Sequence, residues 1–216
     1  SQSGGRITSL QLRGEYVYAA AGKDGMRVYD VASIGNKAVS QRIVPAPVSP
    51  LGQKLHIPSP QATFVALPTN QPIHPARNQG ALMRETNHEQ AFHPIYNYAF
   101  ITDAVEGLIA TDVNTLADGN PRNNFLKRAL TWNEGGVLHG ARHLTIGGRY
   151  FYVAADSGLV VLDMDDPLHP RLTAQIPLRD VRATALQFRY LFLLDGDGLR
   201  VLDVTDPARP QVVPGA

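Results

Sequence analysis

Gly158-Leu-Val-Val-Leu-Asp163-Met-Asp-Asp-Pro167-Leu-His-Pro170 returns 40 residues later as Gly198-Leu-Arg-Val-Leu-Asp203-Val-Thr-Asp-Pro207-Ala-Arg-Pro210. Two weaker copies lie upstream, Gly25-Met-Arg-Val-Tyr-Asp30-Val and Gly107-Leu-Ile-Ala-Thr-Asp112-Val. A period of about 40 residues is that of one four-stranded propeller blade. Around the third copy, 141–146, 149–154, 159–162 and 171–176 read as strands, separated by Gly147-Gly148, Asp156-Ser-Gly158 and the Asp-Pro-x-x-Pro element. Glycine supplies the positive φ of tight hairpins, and proline, which cannot donate to a ladder, belongs between strands. The fourth copy repeats this order through 182–188, 190–194, 199–204 and 211–213, and the first through 6–12, 16–20, 26–31 and 39–44.

The reading is therefore all-β: a single propeller domain over 1–216, built of about four four-stranded blades. The repeats fall at about 5–45, 48–132, 137–177 and 179–213. Four blades either close a compact ring or form part of a larger one, since both faces of every blade must be covered. The second repeat is distorted. Its strand 62–67 meets its partner 96–101 only after an insertion at 68–94, and a lengthened connection, 114–125, replaces the Asp-Pro-x-x-Pro element. Long loops in compact domains are often functional, so contact surfaces are expected on these two segments. Leu159 and Leu199 open equivalent strands and are both expected to pack between blades.

Composition narrows the function. Twenty basic residues balance 19 acidic ones for a net charge of +1, with no cluster of Lys and Arg suited to neutralising phosphates, so nucleic acid is not an expected partner. The apolar runs are strand length, well short of the roughly 20 residues of a membrane-spanning helix. Absence of cysteine excludes disulfides, thiolate metal sites and a cysteine nucleophile. Ser1 at the start suggests a processed or partial chain. Ser157 lies in Asp-Ser-Gly, outside any Gly-x-Ser-x-Gly elbow, and Gly147-Gly148 precedes a strand rather than a helix, so neither a serine hydrolase nor a phosphate loop is indicated.

Residues 158–170 and 198–210 resemble the LVIVD repeat, of form Gly-Leu-x-Val-x-Asp-Val-Ser-Asp-Pro-x-x-Pro. The resemblance weakens at Asp30-Val and Asp112-Val, which lack the Asp-Pro, and over four repeats covers about 165 residues. It implies a propeller, commonly on secreted or cell-surface proteins, and brings no catalytic residues with it. An extracytoplasmic location is the resulting expectation.

A carboxylate repeated in each blade (Asp30, Asp112, Asp163, Asp203) caps a turn more economically than it serves one active site. The histidines are the better chemical candidates. His139 and His143 open the third repeat and, four apart on one strand, would share a face, while His88 and His93 close the insertion. Neutral imidazole binds zinc, copper or iron, so these four are the candidate ligands of a divalent metal or haem iron. Arg77, Arg84 and Arg142 are the candidate interaction residues. The favoured function is a non-enzymatic interaction or scaffold module with a protein partner or subunit and no required cofactor. Its rival is a metal-contacting enzyme or redox-complex subunit using the four histidines.

Overall fold

The structure, a computed structural model, describes residues 5–14, 16–31, 44–45, 55–68, 93–116 and 124–215. Four antiparallel sheets follow one another along the chain as propeller blades, each packed on the next. Blade 1 holds β1 (Ser9–Arg13), β2 (Tyr16–Ala20) and β3 (Met26–Asp30), with two short outer strands, β4 (Val44–Pro45) and β5 (His56–Ile57), both paired to β3. Blade 2 is β6 (Ala62–Ala66), β7 (Tyr98–Asp103), β8 (Gly107–Asp112) and β9 (Lys127–Trp132). Blade 3 is β10 (His143–Gly147), β11 (Tyr150–Ala155), β12 (Gly158–Asp163) and β13 (Arg171–Ile176). Blade 4 is β14 (Ala183–Gln187), β15 (Tyr190–Leu194), β16 (Leu199–Asp203) and β17 (Gln211–Val212).

Registers reproduce the repeat. Tyr150 pairs with Asp163 on β12 as Tyr190 pairs with Asp203 on β16 and Tyr16 with Asp30 on β3. A chain that goes down, up and down again through the first three strands puts the β1–β2 type turns and the β3–β4 type connections at one end. The β2–β3 type hairpins and the links between blades gather at the other end. Both long connections of blade 2, 68–94 and 114–125, therefore depart from the same end, although most of each lies outside the described residues.

The core is a set of seams. Tyr18, Met26, Val28 and Ala20 of blade 1 pack on Val65, Ile101 and Ile109 of blade 2. Phe100, Leu108 and Ala110 pack on Leu144, Phe151, Val153 and Leu162, with Phe100 meeting Phe151 edge-on at 4.6 Å between ring centroids. Tyr152, Ala154, Leu159 and Val161 pack on Leu191, Leu193, Leu202 and Val204. Each seam is also crossed by a threonine hydroxyl, from Thr8 to the Ala62 carbonyl at 3.3 Å, Thr63 to Ala141 at 2.7 Å and Thr145 to Thr184 at 2.8 Å. Among the described residues no apolar cluster joins blade 4 to blade 1.

Several sequence expectations are corrected here. Leu159 is 0 % exposed, as expected, but Leu199 is 61 % exposed because the face of blade 4 that carries it has no neighbouring blade among the described residues. The strand expected at 182–188 ends at Gln187, since Phe188 turns the chain with φ of 54°. Pro94–Asn97 forms a 3-10 turn where the second blade's second strand was expected to begin. The part of the expected outer strand before Val44 lies outside the described residues.

Candidate functional site

The repeated aspartates act on the backbone. Asp112, Asp163 and Asp203 each accept a hydrogen bond from the backbone N–H two residues on, at 2.9, 3.0 and 2.9 Å. This Asx geometry fixes the exit from the third strand. Asp166 and Asp206 do the same for Leu168 and Ala208 just before the proline-initiated turns. Asp163 also accepts from the Arg171 guanidinium at 2.8 Å.

At the hairpin end, Arg142 bridges Asp156 and Asp180, the second contact at 3.7 Å, and Asp156 also meets His139 Nδ1 at 3.1 Å. Arg200 joins Asp195 and Asp197 in the next blade. The Arg200 hydrogen bond and the backbone N–H groups of Asp197 and Gly198 hold the Asp195 carboxyl below the usual carboxylate range. His143 lies half-buried on β10, its ring 4.2 Å from that of Phe64, with Nδ1 3.3 Å from the Thr184 backbone N–H, which donates to it. Burial lowers its pKa. His93 accepts from the Ile95 backbone N–H at 3.2 Å, capping the 3-10 turn, and its Nε2 lies 3.6 Å from Asp165. His93, His139 and His143 thus each have their own local partners, His139 sitting in the turn before β10 rather than on one strand with His143. Among the described residues no three His, Asp or Glu side chains gather where they could hold a metal ion. His88, Arg77 and Arg84 lie outside the described residues.

The loop end carries a surface that sequence patterning did not single out. Arg149 lies over the Tyr150 ring at 5.2 Å, and Arg189 over Tyr190 at 4.9 Å, each guanidinium also bonded to the tyrosine hydroxyl. Beside the second pair stands Phe188, 89 % exposed and left-handed. Gly148 holds the matching corner of blade 3 with φ of 59°. A large side chain in that conformation costs about 1–2 kcal/mol, so Phe188 sits where glycine would be the stable choice. The signal in the sequence was the replacement of Gly148 by Phe188 at an offset of 40.

Residues 140–176, spanning β10 to β13, match the LVIVD repeat family model. The third blade is an LVIVD repeat. No curated protein matches the chain in sequence. Among solved structures, the periplasmic gluconolactonase of Pseudomonas aeruginosa superposes with a TM-score of 0.59 at 15% identity, over 97% of this chain and 53% of that one. A functionally unknown protein from Desulfotomaculum acetoxidans gives 0.58 at 12%, over 96% and 55%. The computationally designed Ika4 protein gives 0.53 at 12%, over 94% and 93%. The chain thus spans about half the length of two of these proteins and nearly all of the third. At such identities the likeness is one of fold.

Proposed function

We propose that this LVIVD-repeat propeller is a non-enzymatic, extracytoplasmic interaction module that docks a protein partner on its loop end. The observation that carries the reading is Phe188, held outward in a conformation that costs stability, beside two Arg–Tyr stacks and at the end from which both long connections depart. Arginine, tyrosine and other aromatics are the side chains that dominate binding hot spots. Asp112, Asp163 and Asp203 are committed to turns and, for Asp163 and Asp203, to ion pairs, which supports binding over catalysis.

A photo-crosslinking residue at position 188, incorporated in the producing cell, should trap one recurrent protein, and Phe188→Ser should abolish that capture without altering the circular dichroism spectrum. Fractionation of the tagged protein tests its location. Elemental analysis tests the rival: stoichiometric metal that disappears on His143→Ala would replace this reading with a metal-dependent one.

A further inference from the structure

We propose that two copies of this chain associate head to tail, the exposed face of blade 4 in each copy covering the exposed face of blade 1 in the other, to close a ring of eight blades. The repeat itself defines the interface. Within the chain, the forward face of blade 3 is Tyr152, Ala154, Leu159 and Val161, and blade 4 covers it. Forty residues on, the same face of blade 4 is Phe192, Leu194, Leu199 and Val201. Ala154 and Leu159 are 0 % exposed, whereas Leu194 and Leu199 are 43 % and 61 % exposed. A shallow groove between Leu199, Val201, Val212 and Val213 opens on this same blade.

The receiving surface lies on blade 1. In blade 4 the rear face that meets blade 3 is built on Leu191 and Leu202, both fully buried. The matching positions by register in blade 1 are Val17 and Tyr29, half-buried, and Ala19 and Arg27, buried at the hairpin end, flanked by Leu10 at 59 % and Leu12 at 55 % exposure. The open part of this face therefore lies at Leu10, Leu12, Val17 and Tyr29. One chain therefore presents both halves of an interface that it already makes three times internally. That complementarity names a second copy, rather than an unrelated partner, as the occupant. Two chains of four blades make eight, and the alignment of these four blades with 53–55% of two longer structures suits a ring of more than four. Two heterologous contacts related by a two-fold axis close such a ring, leaving no free face.

Sedimentation velocity on the 216-residue chain at micromolar concentration should give a species of about twice the 23.5 kDa chain mass. Leu199→Glu and Leu12→Glu, at sites already exposed in the single chain, should each retain the circular dichroism spectrum. Each should raise the dimer dissociation constant about a hundredfold or more by placing a carboxylate in an apolar seam. Phe188→Ser, at the loop end, should leave the dimer intact. A monomeric wild type overturns the proposal. Dissociation by Leu199→Glu but not by Leu12→Glu overturns it as well, because it would mean two blade 4 faces packed on each other. Open filaments overturn the two-fold closure.

Discussion

Leu159 and Leu199 stand at the same place in two copies of one phrase, and the difference in what covers them sets their energetic weight. Leu159→Ala should cost about 2–5 kcal/mol, read from urea unfolding, because it empties a site packed on all sides. Leu199→Ala, measured at dilutions where the chain is monomeric, should change stability by less than about 0.5 kcal/mol. Phe188→Gly should stabilise the fold by up to about 1 kcal/mol by relieving a positive φ, and a loss of stability would show that its ring makes contacts worth keeping. His143 gives the pH dependence. Its burial lowers the folded-state pKa, so the unfolded chain takes up that proton at a higher pH than the folded one. The stabilisation is complete above about pH 6.5, the ordinary histidine value, and falls as pH drops below it. Urea midpoints of wild type and His143→Gln at about pH 7.5 and about pH 5.5 should therefore converge on the acid side.

At the scale of strands and turns, blades 3 and 4 were legible because glycine and aspartate punctuate them at fixed places, so that 171–176 and 190–194 emerge to the residue. Blade 2 was less so. Lys127–Trp132 follows a connection without repeat punctuation, and Pro94–Asn97 spends one turn as a 3-10 segment before the strand begins, a choice made by the His93 cap rather than by apolar alternation. What covers a strand was legible at Leu159 but not at Leu199, since alternation marks an apolar face without naming its neighbour. Gly158 and Gly198 show the same limit. Both have positive φ, 114° and 138°, but a Cβ on Gly158 would lie 2.2 Å from the Ile176 carbonyl oxygen, whereas one on Gly198 meets open space. Gly158→Ala should cost more than Gly198→Ala, with equal midpoints counting against the close approach of β13 to that glycine. Removing 69–92 and joining the flanks with Asn-Gly should preserve the fold, because Ala66 already pairs with Phe100 across that gap. Unfolding on deletion would make that segment structural.

For the whole molecule, stability should depend on concentration if the terminal faces are covered by a second chain, since association stabilises the folded form by mass action. The melting temperature of the wild type should rise with protein concentration, and that of Leu199→Glu should not. Blades that touch only their neighbours contribute to stability through seams, and the three seams packed among the described residues leave two end blades. The ends are where backbone amides open first, because opening an end blade breaks one seam while opening a middle blade breaks two. Amide hydrogen exchange in the monomeric Leu199→Glu variant should thus show a protection gradient, slowest at β7, β8, β11 and β12 and fastest at β16 and β17. In the wild type at high concentration that gradient should flatten, so that the uncovered face of blade 4 governs how long the farthest strands keep their protons.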